Sequence, residues 1–340
     1  MGDGLHLPRR PPPLGPAPSP PSVPSSFQAD VLAGLAASPR TIPPKWLYDA
    51  EGSRLFDAIT RLAAYYPTET ERGILRDHAS EMATAIGPGA ALVEYGSGSS
   101  DKTRVLLDAL RTTGLAAYIP VDISPTALDA AENALRAEYP GLDVRPVVAD
   151  YTQPFSLPDV SPREQRVVFF PGSTVGNFTP AETRDFFRDA AAVVGPGGAL
   201  LIGADQQKGA AVLALAYDDP DGVTAAFNRN LLVRINRELG GDADLDRWVH
   251  EARVVERPDE AGSGETSQAV EMHLVSRGAQ TLTVVGQRFS FADGESIHTE
   301  TSTKYGPETL ARIAAPAGFT RVARWTDARG WFAVELYRAD

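Results

Sequence analysis

From residue 90 to residue 203, short apolar runs alternate with helix-length amphipathic stretches, and no other feature restricts the fold of this chain so tightly. The runs at 91–95, 118–122, 144–149, 166–170 and 199–204 have the length and β-branched or aromatic content of buried strands. Helical patterns fill the gaps at about 100–112, 125–139 and 183–194. Strands joined by helices of that length imply βαβ units, a parallel sheet and helices on both of its faces. The expected fold class is therefore α/β.

The flanks read differently. Phe27, Val31, Leu32 and Leu35 mark a helix closed by Pro43-Pro44. A second helix follows 49–53, and a third covers 68–85 after Tyr65-Tyr66-Pro67. After Asp205 the alternation stops. A helix is expected at 223–239, with Phe227, Leu231, Ile235 and Leu239 in one stripe, then strands at 269–276 and 281–289 that read as a hairpin around 277–280. A Thr-rich strand follows at 296–304. A short helix at 308–317 leads to runs 321–325 and 331–337, which suit an antiparallel pair added to the parallel sheet. The N-terminal helices and the 206–304 block together suit a second lobe of α+β character. Residues 1–26 hold nine of the 28 prolines and almost no β-branched or aromatic residues, the composition of a disordered tail. Arg9-Arg10 is followed by prolines rather than an apolar stretch, which speaks against a twin-arginine signal.

Charge and composition narrow the chemistry. The 340 residues carry 32 Lys+Arg against 44 Asp+Glu, a net charge of −12, which disfavours nucleic acid and anionic membranes as partners. Zero cysteines remove disulfides, zinc ribbons, Fe–S clusters and thiol nucleophiles together. The five histidines (6, 78, 250, 273 and 298) lack the spacing of metal ligands, so no metal is expected. The longest apolar stretch, near 190–204, is broken by Gly195-Pro196-Gly197-Gly198 and is too short to span a bilayer. A monomeric cytoplasmic enzyme or binding protein fits these features.

The first strand runs into Glu94-Tyr95-Gly96-Ser97-Gly98-Ser99-Ser100-Asp101 and then a helix, the opening of a nucleotide-binding βαβ unit. Asp101 occupies the third glycine position of G-x-G-x-x-G, placing a carboxylate where a dinucleotide brings phosphates. That counts against NAD and FAD but not against S-adenosylmethionine (SAM), which has no phosphate. Asp122 ends the second strand 26 residues after Gly96, near the offset of a ribose-binding carboxylate. Asp150-Tyr151 ends the third, where an oxygen could meet an adenine amine and a ring could flank the base. Each aspartate also suits a helix cap or an exposed strand end. Lys102 is either a solvated charge or a partner for the carboxylate of SAM's amino-acid tail.

The stretches 96–103 (GSGSSDKT) and 170–178 (FPGSTVGNF) carry a family signature. With Tyr48-Asp49-Ala50-Glu51-Gly52-Ser53, Tyr65-Tyr66-Pro67-Thr68-Glu69-Thr70-Glu71 and Phe227-Asn228-Arg229-Asn230, the chain resembles the L-histidine Nα-methyltransferases of the ergothioneine pathway. The resemblance runs from about Phe27 to the C-terminus. It implies a Rossmann-like SAM-dependent methyltransferase domain (70–205 and 305–340) with a second, substrate-binding lobe (27–69 and 206–304), and trimethylation of the histidine α-amine to hercynine. By the same resemblance Tyr48, Gly96, Lys102, Asp122, Asp150 and Tyr151 would hold SAM. Asn177 and Tyr217 would hold the amino-acid end of histidine. Tyr65, Glu300, Thr301 and Ser302 would read the imidazole, with Met272 against the ring. Asn177 and Tyr65 would be the catalytic pair, with the choice between Tyr65 and Tyr66 open.

The residues alone leave alternatives. Asn177 could cap the helix after Thr179-Pro180. Glu300 and Ser302 share one strand face, from which they could reach one ring together or simply point to water. Rival functions are methylation of another amino acid such as tryptophan, a non-catalytic SAM-binding protein, and an NAD-type oxidoreductase. Glu300 opposes the first, since an unpaired carboxylate against an indole is costly. Asp101 opposes the last.

Overall fold

The computed structural model describes residues 26–97, 101–153, 155–159, 161, 164–258 and 266–340. The proline-rich tail up to residue 25 and Gly98-Ser99-Ser100 of the glycine loop lie outside the described residues.

The N-terminal segment comprises α1 (Ser26–Ala36), β1 (Arg40–Thr41), α2 (Ala50–Ile59) and α3 (Tyr66–Ile86). Asp49 starts α2 by accepting from the Gly52 N–H at 2.8 Å. The alternating region supplies β2 (Ala90–Tyr95), α4 (Asp101–Thr113), β3 (Ala117–Asp122), α5 (Pro125–Glu138), β4 (Val147–Val148), β5 (Gln165–Phe170), α6 (Pro180–Val194) and β6 (Ala199–Asp205). Every residue of β2 and β6 is buried, as strands covered on both faces must be. Beyond lie α7 (Ala210–Tyr217), α8 (Val223–Leu239), β7 (Trp248–Pro258), β8 (Thr266–Ser276), β9 (Gln280–Val284), β10 (Gln287–Phe291) and β11 (Ser296–Lys304). The chain closes with α9 (Thr309–Ala314), β12 (Phe319–Thr326) and β13 (Phe332–Ala339).

A seven-stranded sheet has the order β12-β13-β6-β5-β2-β3-β4. Its β6 to β4 portion is parallel, and β13 and β12 add on antiparallel, the arrangement expected for the last two runs. The chain leaves β2 toward β3 and β4, then returns to β5 on its other side. Ligands of such sheets bind at that reversal, outside the strand C-termini. One apolar core, with Leu75, Met82 and Leu107, covers one face of the sheet; another, with Phe186, Phe187 and Leu310, covers the other. A third core unites α1, α2, α7 and α8 with a four-stranded sheet of order β1-β11-β8-β7.

Three strand expectations need correction. The 269–276 and 281–289 runs do not form a hairpin: β8 pairs with β7 and β11, while the second run turns at Val285-Gly286 into its own hairpin, β9–β10. β7 is a full partner strand that the sequence reading missed, since its Arg and Glu residues obscure the alternation. The run 144–149 keeps only two ladder residues, Val147 and Val148, plus an isolated bridge from Val144 to Tyr118.

At the reversal point a buried carboxylate ties the layers together. Glu71 of α3 is fully buried and accepts from Lys102 Nζ at 2.5 Å and from the Gly172 N–H at 2.9 and 3.0 Å. Its Oε1 sits so close to β6 that a Cβ on Gly203 would lie 2.0 Å away. Glu71, held by two partners, has nowhere to move. Gly203→Ala should therefore cost about 1–3 kcal/mol of stability, whereas Gly209→Ala, with nothing within 4 Å of the added Cβ, should be close to neutral. Urea unfolding of both variants checks the contrast, and equal midpoints would contradict it.

Candidate active site

The C-terminal edge of β2, β3 and β4 gathers one set of candidates. Gly96 follows β2 and donates its N–H to Val121 O at 2.9 Å. Asp122 closes β3, and its Oδ1 accepts from the Ser124 N–H at 2.9 Å. Asp150 accepts from both the N–H and the hydroxyl of Thr152 through Oδ1, at 2.9 and 2.5 Å. The second oxygen of each carboxylate makes no hydrogen bond among the described residues. Tyr151 stacks flat on Tyr95, with centroids 5.3 Å apart at 4°, beside the backbone of Gly96. Burial raises the Tyr151 phenol, and the charges of Asp150 and Asp122 add to the rise, so all three groups lie close together. Ile123, directly after Asp122, is 54% exposed. It offers an apolar surface at this edge that the sequence reading overlooked. Lys102 departs from the expectation of a solvated charge, because Glu71 takes one of its three donors.

A second set converges on β11. Glu300 is 8% exposed, and its buried Oε2 has no hydrogen-bond partner among the described residues. Burial pushes its carboxyl up to about 7, opposed by the charge of Lys304. Met272 is its cross-strand neighbour. Ser302 Oγ lies 2.8 Å from the Tyr217 hydroxyl, and Lys304 Nζ donates to both, at 2.7 and 2.8 Å. The Tyr65 ring meets the Tyr217 ring edge-on at 5.9 Å. Burial raises the Tyr65 phenol, followed by the influence of Tyr217 and Glu300. The two adjacent tyrosines have different surroundings. Tyr65 faces Tyr217 and Glu300, whereas Tyr66 donates to Asp205 Oδ2 at 2.6 Å and accepts from Lys208.

One candidate lies between the two sets and one lies away from both. Tyr48, read as a cofactor residue, packs edge-on against Phe56 and Phe227 with both centroid distances 5.4 Å. Its phenol is raised by burial, then by Glu300, Tyr65, Tyr151 and Tyr217, which places it near both the β11 set and Tyr151 of the β2–β4 edge. It is enclosed by protein yet 38% exposed, as a residue lining a cleft would be. Thr301 pairs across the ladder with Glu271, and its hydroxyl engages His298 Nε2 at 2.9 Å. Strand alternation puts it on the face opposite Glu300, so the structure does not bring it to this cluster.

Asn177 ends the 3₁₀ turn Thr174–Asn177. The cap of α6 is Thr179, whose hydroxyl accepts from the Glu182 N–H while Glu182 reaches back to the Thr179 N–H. The capping alternative for Asn177 therefore falls. Gly176 brings the turn against β11 so closely that a Cβ would lie 2.8 Å from Thr303 O. That contact sets the turn carrying Asn177 against the end of β11, and the Asn177 amide makes no hydrogen bond among the described residues.

Between the two sheets lies a network that sequence reasoning did not anticipate. Asp205 binds Lys304 Nζ at 2.8 Å, Tyr66 at 2.6 Å, and Lys208. Burial lowers Lys208 to about 8, with Asp205 opposing the shift. A lysine at each end of a polar run looks like a surface charge in sequence, so no local signal marks it. No cluster of His, Asp or Glu able to hold a metal occurs among the described residues.

Comparison with known proteins bears on these groupings. Residues 27–339 match the family model described as histidine-specific methyltransferase, SAM-dependent. A histidine N-alpha-methyltransferase of Mycolicibacterium smegmatis is 44% identical over 319 residues, covering 93% of this chain and 95% of that protein. Its counterpart in Mycobacterium tuberculosis is 42% identical over 314 residues, covering 92% and 94%. Ergothioneine biosynthesis protein 1 of Neurospora crassa is 31% identical over 293 residues, 85% of this chain but 32% of that longer protein.

The buried Glu300 makes a pH prediction. Its carboxyl titrates near 7 when folded against an ordinary 4.5. The unfolded chain therefore ionises first, and folding stability from this group is lost as pH rises from about 4.5 to about 7. Glu300→Gln keeps the shape without the ionisation. Its stability advantage over the parent should grow across that window by up to roughly 3 kcal/mol. Urea melts at pH 5 and pH 8 measure the gap; a gap that stays constant would show the carboxyl is not held protonated by burial.

Proposed function

The chain belongs to the SAM-dependent, histidine-specific methyltransferase family, and from that premise we propose that it methylates the α-amine of L-histidine, three times in succession, to give hercynine for ergothioneine biosynthesis. The observation that carries the reading is the buried, unpartnered oxygen of Glu300 next to Ser302, Tyr65 and Tyr217. A buried carboxylate oxygen without a donor is costly, and an imidazole N–H is the donor that would satisfy it.

The β2–β4 edge fits SAM in its chemistry. Asp122 and Asp150 each keep one oxygen for hydroxyl or amine donors, Tyr151 and Ile123 supply apolar faces, and the charges at this edge are not arranged for phosphate. Lys102 retains two donors for a carboxylate. When bound, SAM supplies an activated methyl on a sulfonium. The protein's part is to bring a neutral amine in line with it at roughly 3–3.5 Å.

An α-amine titrates near 7.7–8.0 in peptides, so its reactive form is accessible without a strong base. Burial holds the phenols of Tyr48, Tyr65 and Tyr217 above their ordinary value. They therefore act as neutral hydrogen-bonding groups and aromatic walls. Those walls suit the final quaternary ammonium through cation–π attraction. Asn177 can donate to the substrate carboxylate and accept from the amine with one amide.

We assign 27–69 and 206–304 to a substrate-binding lobe, and 70–205 with 305–340 to the SAM-binding domain. No described helix is long and apolar enough to cross a membrane; a monomer in the cytoplasm belongs to the same proposal.

Incubation with SAM and L-histidine should yield mono-, di- and trimethylhistidine by mass spectrometry. Turnover of tryptophan with none of histidine would refute the substrate. Glu300→Ala should weaken histidine while leaving S-adenosylhomocysteine binding intact, and Asp122→Ala should do the reverse. Calorimetry that found both ligands equally affected by either change would remove these assignments.

A further inference from the structure

β11 and β8 pair with His298 opposite His273, so an unbroken antiparallel ladder would set Glu300 opposite Glu271. Cross-strand partners share a face. Glu300 would then stand beside a like charge, on the side carrying His273 and Arg257. The ladder is instead interrupted by one residue, Thr299, and resumes with Glu300 opposite Met272. A one-residue slip moves everything beyond it to the other face. Glu300, Ser302 and Lys304 consequently share the face of Met272 and Val270, both members of the apolar core.

A bulge strands ladder groups, which must find other partners when buried. Thr299 is fully buried, and its hydroxyl lies 2.7 Å from Asn228 Oδ1 and 3.0 Å from Met272 O. Asn228, also fully buried, donates Nδ2 to His273 O at 3.1 Å and to His250 Nδ1 at 3.0 Å. His250 Nε2 in turn reaches Tyr217 O at 2.8 Å. The carbonyl requires the ring proton on Nε2 and leaves Nδ1 to accept, a neutral imidazole. Burial, which lowers the His250 pKa, agrees. The chain thus starts at the bulge and ends on a second pocket residue. The same helix serves the far wall: Asn230 donates to Asp49 Oδ1 at 2.7 Å, and the Phe227 ring supports Tyr48.

We propose that Asn228, acting through Thr299 and His250, is a positioning residue for substrate specificity: it pins the one-residue bulge that turns Glu300 into the pocket and ties that bulge to Tyr217. This rests on Glu300 being the group that reads the imidazole. Asn228 does not touch substrate. Its role in the Phe227-Asn228-Arg229-Asn230 motif is to choose which face of β11 the carboxylate occupies.

The test compares Thr299→Val, which keeps the shape and removes the hydroxyl, with Asn228→Ala and with Thr299→Ser, which restores the donor. Affinities for L-histidine and for S-adenosylhomocysteine are measured by calorimetry on the full chain, and kcat and KM by methyl transfer. Thr299→Val and Asn228→Ala should weaken L-histidine by about tenfold or more, mostly in KM, with S-adenosylhomocysteine affinity preserved. Thr299→Ser should behave like the parent. Unchanged histidine affinity in both disruptive variants overturns the proposal, as does a parallel loss of both ligands, which would mark a purely structural network. If Asn228→Ala does not fold, His250→Gln takes its place in the comparison. Loss of histidine affinity in Glu300→Ala but not in Thr299→Val sinks this inference alone, whereas a parent protein inert toward histidine sinks the functional reading beneath it.

Discussion

Asp205 holds together parts of the molecule that are far apart in sequence. It ends β6 of the large sheet, yet its carboxylate is shared by Lys304 at the end of β11, Tyr66 at the start of α3, and Lys208 at the approach to α7. All four groups are buried or nearly so. Removing Asp205 would leave Lys304 and Lys208 without their shared counter-charge in a low-dielectric setting, which is the expensive way to break such a cluster. The two sheets therefore meet along a fixed seam, and the β2–β4 edge and the β11 pocket are held in register across it.

The formal charges at that seam are balanced. Asp205 and Glu300 supply two carboxyls, and Lys208 and Lys304 supply two amines. Burial pulls Glu300 up to about 7 and Lys208 down to about 8. Both shifts favour the uncharged forms, and the four groups sum to zero either fully charged or with Glu300 and Lys208 both neutral. Under the proposed function, a zwitterionic amino acid would add no net charge there. By the same proposal, an imidazole N–H would give Glu300 Oε2 the donor that it lacks among the described residues, a more specific gain than charge attraction alone.

Several features were legible before any coordinates. The apolar alternation from 90 to 203 sufficed for the parallel sheet, because continuous burial of β2 and β6 leaves an unmistakable composition. The Thr-rich run at 296–304 coincides with β11, and α8 spans the stripe that Phe227, Leu231, Ile235 and Leu239 mark. The β8 pairing was misread because a Gly-containing four-residue link looks like a hairpin turn wherever it falls. Which strand joins which depends on faces that only packing brings together. In the sequence Glu71 is only the last residue of the 65–71 motif. Its burial against Gly203 depends on a strand more than a hundred residues away.

The sequence by itself determined the element types, the parallel sheet and the acids at its strand ends, since those follow from periodicity and local chemistry. It also carried the motifs of the family. Tertiary structure alone decided that Tyr65 packs on Tyr217 while Tyr66 binds Asp205, and that Thr301 and Glu300 lie on opposite faces of β11. The physical reason is the bulge at Thr299. A strand's alternation specifies which residues share a face, but an inserted residue reverses the assignment, and at this insertion the hydrogen bonds come from Asn228 on a separate helix.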